Sequence, residues 1–266
     1  MGNTHKHTPR EAGRARSKFY GAAFYKEKKL DACLRSAIKY VDLLIPPFNP
    51  NSVVDVGCGR GSWLKAFKAK GATRLVGYDG TWNTQEDMID PSIVFHGVDL
   101  NEPMSIAGTE RFDLALSVEV AEHLKPSSAR QLIDSLTQLS DVVVFGAAYS
   151  KQGGTNHINE QPPSYWEEIF SSFEYVPYDL FRPIFWGDTQ IPFWYQQNTF
   201  LYVRKNTPAA QLLMDSGQKP MQNVHFMDCI HPTLYEKKIG IRGLIRQLAS
   251  IKPLRPLARK VKEFIT

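Results

Sequence analysis

The stretch that most limits how this chain can fold is Ser52-Val53-Val54-Asp55-Val56-Gly57-Cys58-Gly59-Arg60-Gly61-Ser62-Trp63. Its β-branched opening predicts a buried strand, its glycines a tight turn, and Ser62 to Lys68 the first turns of a helix. A strand, a glycine loop and a helix in that order present backbone amides at a helix N-terminus, where nucleotide-type ligands sit. Without Cβ atoms, Gly57, Gly59 and Gly61 can take positive φ and let a ligand lie against bare backbone. The spacing is G-x-G-x-G with an acid, Asp55, two residues before the first glycine, and not the G-x-G-x-x-G of a dinucleotide site. A pyrophosphate would be repelled by that carboxylate.

Downstream, Arg74 to Asp79, Ile93 to Gly97, Phe112 to Ser117 and Asp141 to Gly146 read as four more strands. Helical patterns precede the second and the fifth, notably Ser127 to Leu139. Such alternation gives a parallel sheet with helices on both faces and ligands at the carboxyl ends of the strands. Before the glycine loop, Leu30, Leu34, Ile38, Val41 and Leu44 recur at helical spacing, and Pro46-Pro47 are expected to end that helix. Residues 1–28 read as a flexible polar arm and 205 to 236 as irregular.

The glycine loop and its acid resemble motif I of the class I S-adenosylmethionine (SAM) methyltransferases, and the resemblance runs from residue 52 to about 205. It implies an α/β, Rossmann-like, seven-stranded and mostly parallel sheet over a domain of residues 29–205. An N-terminal helix would precede the sheet and a basic extension, 206–266, would follow. A short helix capped by Ser164 and running through Phe170, an edge strand in Phe173 to Phe181 and an antiparallel last strand from Asn198 to Arg204 would complete it, although the count of parallel strands alone does not require this. In that family the residue matching Asp55 holds the cationic amino end of SAM over Gly57, Gly59 and Gly61. Asp79, 18 residues after Gly61, would accept the ribose hydroxyls. Asp99 would take the adenine amino group, Leu100 would pack on the ring, and Ser117 would complete the cofactor contacts.

SAM carries an activated methyl group, so the protein must align an acceptor, remove its proton and exclude water. The fourth strand ends in Ser117-Val118-Glu119-Val120-Ala121-Glu122-His123. If a helical turn begins there, Glu119, Glu122 and His123 share one face at i, i+3 and i+4. The stretch resembles the E-V-x-E-H motif of UbiG-type O-methyltransferases of quinone biosynthesis and of small-RNA 2′-O-methyltransferases. There a divalent ion can sit on the motif, completed by a later histidine, which implies a magnesium or manganese site on Glu119, Glu122, His123 and His157. Alternatively, Glu122 and His123 bond neighbouring loops and shape the pocket.

In Gly153-Gly154-Thr155-Asn156-His157-Ile158-Asn159-Glu160, His157 is the candidate general base, oriented by Glu160, with His123 nearby as a further catalytic candidate. As a plain structural reading, His157 caps the next helix and Glu160 is solvated. The dense aromatic and amide run Phe185 to Asn198 offers Trp194, Tyr195 and Gln197 to a sugar or planar ring, or else packs on the last strand. From His157 through Trp166 to Gln197 the chain resembles methyltransferases of bacterial glycan and natural-product pathways.

Charge is distributed unevenly. Residues 237–266 hold nine Lys and Arg against Glu263, a balance of +8, which leaves the first 236 residues at −3 of the chain's +5. The body therefore lacks the clustered cations of a nucleic-acid binder. Val142 to Ala148 is the longest apolar run, far short of the ~20 residues of a spanning helix. Cys33, Cys58 and Cys229 have no metal-ligand spacing and suit a reducing compartment. The expectation is a cytoplasmic SAM-dependent O-methyltransferase, less readily an N-methyltransferase, with a small-molecule or glycan acceptor. An RNA 2′-O-methyltransferase and a noncatalytic SAM-fold module compete with it. The tail, with Leu244, Ile245, Leu248 and Ile251 on its apolar side, would meet the inner face of an anionic membrane, or else be a solvated extension or a partner helix.

Overall fold

A computed structural model describes residues 27–104, 111–240, 245, 248–249, 251–257 and 259–260. The N-terminal arm up to residue 26 and Leu244 lie outside these. The described chain forms a first compact unit ending at Asp228 and a second beginning at Cys229.

In the first unit, β1 (Ser52–Val56), β2 (Arg74–Asp79), β4 (Leu114–Val118) and β5 (Val142–Gly146) are buried almost throughout. That matches their unbroken apolar runs, because strands covered on both faces need no polar side. β3 (Val94–Gly97) is the exposed edge strand. With β6 (Tyr175–Tyr178) and β7 (Thr199–Arg204), the sheet has the order β3-β2-β1-β4-β5-β7-β6. β1 pairs in parallel with β2 and β4, β2 with β3, and β4 with β5. β7 runs antiparallel to β5 and to β6, and Pro177 falls in that other edge strand, where a missing N–H costs little. The chain thus steps from β1 outward to β3 and returns to β4 on the other side of β1. Such a reversal opens a crevice at the carboxyl ends of β1 and β4.

Helices fill both faces. On one, α1 (Glu27–Phe48) and α2 (Ser62–Ala69) supply Tyr40, Leu44, Leu64 and Phe67 to a core with Leu114, Leu116 and Leu201. On the other, α3 (Ala129–Leu139) and α4 (Pro163–Ser171) supply Leu132, Ile133, Leu136, Trp166 and Phe170 against Val143, Phe145 and Tyr202. Each fully buried side chain of this size is worth about 1.5–3 kcal/mol of transfer free energy. Short helices α5 (Arg182–Phe185) and α6 (Phe193–Asn198) lead into β7.

Three expectations need correction. α1 does not stop before Pro46-Pro47 but carries them in its last turn. Proline's fixed φ is already helical, and the end comes at Asn49, whose φ is 37° and whose amide donates to the Ile45 carbonyl at 2.9 Å. Ser164 does not cap its helix from outside. It lies in the first turn, where its amide and Oγ donate to the Asp228 carboxylate at 2.9 and 2.6 Å, so a distant acid does the capping. Residues 205–236 are not irregular. Thr207 caps α7 (Pro208–Asp215), and a 3-10 turn spans Val224–Asp228. Leu213 and Met227 are fully buried, one in each face's core, so 206–228 belongs to the first unit and not to a tail. In the second unit, α8 (Pro232–Ile239) starts where His231 Nδ1 accepts from the Thr233 amide at 3.2 Å.

Candidate active site

The glycine turn follows β1 directly. Gly57 and Gly61 have φ of 93° and 83°, which L side chains rarely adopt. A Cβ on Gly57 would collide with Val120, and one on Gly61 with Ile93. At these two positions the bare backbone receives neighbouring side chains, a use beyond the ligand approach expected of them. The Gly57 amide donates to the Tyr78 carbonyl at 2.7 Å, and the amides of Gly59 and Gly80 each donate at 2.6 Å to one oxygen of Asp79. Asp79 therefore ties β2 to the turn, and Asn83 reinforces the tie by donating to the Gly59 carbonyl.

Asp55 is 2% exposed, and its Oδ2 is buried without a hydrogen-bond partner. Burial, then repulsion from Asp79, holds its carboxyl well above the usual carboxylate range. Burial also raises Asp79, to about 6, because desolvation outweighs the two amides that favour its charge. Two buried acids at adjacent strand ends make a site that a cation would stabilise. Asp99 is exposed and accepts from the amide and side chain of Asn101 at 3.0 and 2.8 Å. Leu100 is buried beside Tyr78 and Val120, and Ser117 is fully buried with no partner for its Oγ.

A second group sits beyond β4. Here the expected helical turn does not start at Glu119, whose φ is 60°. Its amide continues the ladder to the Gly146 carbonyl at 2.8 Å, the chain then reverses, and only Ala121–His123 forms a 3-10 turn. Glu119 consequently stays beside the Glu122 carboxyl but outside the group that Glu122 forms with His123 and His157. Its Oε1 accepts from Asn198 Nδ2 at 3.2 Å, the same amide group reaches Gln152 at 3.0 Å, and the buried Gln197 donates to Asn198 at 2.9 Å. Glu122 is completely buried with neither oxygen hydrogen-bonded, and burial followed by the nearby Glu119 pushes its carboxyl far up.

The loop after β5 is fastened onto this turn. The amides of Ile158 and Asn159 donate to the Glu122 carbonyl at 2.8 and 3.0 Å, and the Asn159 side chain donates to the Ala121 carbonyl at 3.4 Å. His157 is thereby brought edge-on to His123, with ring centroids 4.8 Å apart. His157 Nδ1 lies 2.8 Å from Glu160 Oε1, which also accepts from the Gly153 amide at 2.6 Å. A carboxylate only accepts, so Nδ1 carries the hydrogen and the lone pair is on Nε2. His123 Nδ1 likewise faces a carbonyl, that of Asn156, at 3.3 Å. Gly154 lies flush against the His157 ring, where any Cβ would collide with it.

The ligand atoms of Glu122, His123 and His157 lie within 4.8 Å of one another, and Glu119 is not in that group. The donors are one carboxylate and two imidazoles, each ring held from behind by an acceptor, as metal-binding histidines usually are. That set is poorer in oxygen than the magnesium or manganese site expected, and two imidazoles favour ions such as zinc, iron or nickel. In the aromatic run, Tyr195 OH reaches Cys33 Sγ at 3.5 Å and its ring meets Trp63 edge-on at 5.9 Å, with Trp194 half-buried beside it. Gln196 spends its amide on the loop before it, donating to the carbonyls of Asp188 and Ile191. Gly154, Asn159 and Gln152 escaped the sequence reading. The polar loop was visible there, but nothing local says which carbonyls it will meet.

Residues 27–145 match the model of a methyltransferase domain. Among solved structures, an O-methyltransferase family protein from Burkholderia thailandensis is 14% identical with a TM-score of 0.53, over 73% of this chain and 63% of its own. The magnesium protoporphyrin IX methyltransferase of Synechocystis, with SAM bound, is 16% identical with a TM-score of 0.51, over 76% of this chain and 100% of its own. The fold of the first unit is accordingly that of the class I methyltransferases. No curated protein matches the chain.

Proposed function

We propose that this chain moves the methyl group of SAM to a hydroxyl of a small molecule or glycan. One observation carries the reading. Two unlike groups of side chains stand at neighbouring strand ends, the buried acids Asp55 and Asp79 on β1 and β2, and Glu122 and His123 after β4 with His157 after β5. The unpartnered oxygen of Asp55 fits an ammonium group, and a bound cation would pull the raised Asp55 carboxyl back toward ionisation. Asp79 keeps lone pairs beyond those given to Gly59 and Gly80, which fits ribose hydroxyls.

SAM, when bound, supplies a methyl group on a sulfonium, so the chain needs no covalent nucleophile. His157 Nε2 accepts the hydroxyl proton while the acceptor oxygen takes the methyl, and Glu160 steadies the resulting imidazolium. Proton removal of this kind contributes roughly 10²–10⁴ in rate. A metal ion on Glu122, His123 and His157 would instead lower the pKa of the acceptor hydroxyl. His157 cannot be ligand and base through one nitrogen, so the two routes respond oppositely to a chelator.

The test is incubation with methyl-labelled SAM and cell extract, with and without chelator, followed by mass spectrometry of labelled products. A labelled hydroxyl compound supports the reading, and label on the 2′-oxygen of RNA moves the acceptor to ribose. Binding of SAM without any labelled product would leave a noncatalytic module.

A further inference from the structure

The second unit holds none of the residues assigned to methyl transfer. Residues 229–266 hold nine Lys and Arg and two Glu, a balance of +7, which leaves residues 1–228 at −2 of the chain's +5. Among its described cations, Lys237, Arg255, Arg259 and Lys260 are exposed. The same unit exposes large apolar groups, at Ile230 (46%), Tyr235 (54%), Ile239 (50%), Ile251 (48%) and Leu257 (50%). On α8, Tyr235 and Ile239 are one turn apart and share a face, while Leu234 is turned inward at 3% exposure. An apolar line beside cations is what an interfacial helix presents to a bilayer.

We infer that the second unit is a peripheral docking surface for an anionic lipid bilayer. Charge selects the partner. A local +7 is drawn to anionic headgroups, and each cation near such a surface adds to the attraction. The apolar groups separate lipid from nucleic acid, since a phosphodiester backbone takes the cations but leaves isoleucine and leucine in water. They also separate lipid from a rigid protein partner. Ile230, Ile239, Ile251 and Leu257 are spread along the unit, and a fluid acyl boundary accepts such separate anchors without a matching shape. Contact is at the surface, because no helix among the described residues is long and apolar enough to cross a membrane.

The test uses the full chain in sedimentation with phosphatidylcholine vesicles, with and without about 30% phosphatidylglycerol, at low and high salt. Pelleting is expected to rise at least about tenfold with the anionic lipid and to fall back at about 0.5 M salt. Lys237→Glu with Lys238→Glu, and separately Tyr235→Glu with Ile239→Glu, should each lower binding by about fivefold or more. Equal pelleting with both vesicle types would overturn the inference, as would wild-type binding by the Tyr235→Glu, Ile239→Glu protein. Retention of a ribo-oligonucleotide without vesicle binding would transfer the surface to nucleic acid and also overturn it. Unchanged thermal midpoints would show that the variants are folded.

Discussion

Around Gly57 the hydrogen bonds that hold the site join residues 57 to 83, all within thirty positions of one another, whereas around Glu122 they join residues 119 to 198. The first half is held by the amides of Gly57, Gly59 and Gly80. The second is held by the backbone amides of Glu119, Ile158 and Asn159 and by side-chain amides from the loop after β5 and from the helix before β7. Bonds of short sequence range therefore shape the proposed cofactor side, and long-range bonds, backbone and side-chain alike, shape the proposed acceptor side. Damage to the first should appear as lost stability or lost cofactor affinity, and damage to the second as lost turnover.

The sharpest challenge to that division is His157→Ala. Turnover should fall by about 10²–10⁴ while calorimetric affinity for S-adenosylhomocysteine stays within about twofold. A comparable loss of affinity would mean that the two halves are not separable. Next is Gly57→Ala, which puts an L residue at a φ of 93° against Val120. It should cost about 2–4 kcal/mol in chemical denaturation, partly recovered by adding Val120→Ala. Full stability in the single variant would show that the turn relaxes more easily than its contacts suggest.

Asp79 gives a pH signature. Burial raises it from 3.8 to about 6, so the folded chain holds this proton more tightly than the unfolded one. The stability it contributes is full below about pH 4 and is lost as pH rises through about 6, a drop of about 3 kcal/mol relative to Asp79→Asn. Asp55 shifts in the same direction. Ribose hydroxyls need the ionised form as acceptor, so affinity for S-adenosylhomocysteine should weaken as pH falls below about 6, by up to tenfold per unit. Titration calorimetry from pH 5 to 8 checks this, and a flat profile would remove Asp79 from the ribose. The smallest effect is expected of Gly154→Ala, which displaces the His157 ring. Turnover should drop about tenfold with less than about 1 kcal/mol lost in stability, and a larger stability loss would make the loop part of the fold's support.

Much of the cofactor side was legible because its information is local. The β-branched run before Gly57 is a strand, Arg74 to Asp79 is a strand with the expected ends, and Asp79 stands at its carboxyl end. The antiparallel close of the sheet at Thr199–Arg204 came from family resemblance. The acceptor side was read less well, for a physical reason. The sequence around Glu119 is compatible with a helical turn, and only its amide bond to Gly146, on the neighbouring strand, forces the left-handed reversal. Gln197 was offered to a sugar or planar ring, yet it and Gln196 are buried and bonded within the protein. Hydropathy does not foretell such burial, because an amide goes inside only where partners wait for it.

The bond between Asp228 and Ser164 bears on how short a form of this protein can be made. A gene trimmed at Lys205, the end of the domain expected from sequence, would encode a chain whose α4 has lost its acidic lid and whose Arg182 has lost the Met227 carbonyl it grips at 3.1 Å. Holes would open on opposite sides of the sheet where Leu213 and Met227 had been. A stop codon after Asp228 spares all of these, and makes the natural starting point for expressing the first unit without its basic appendage.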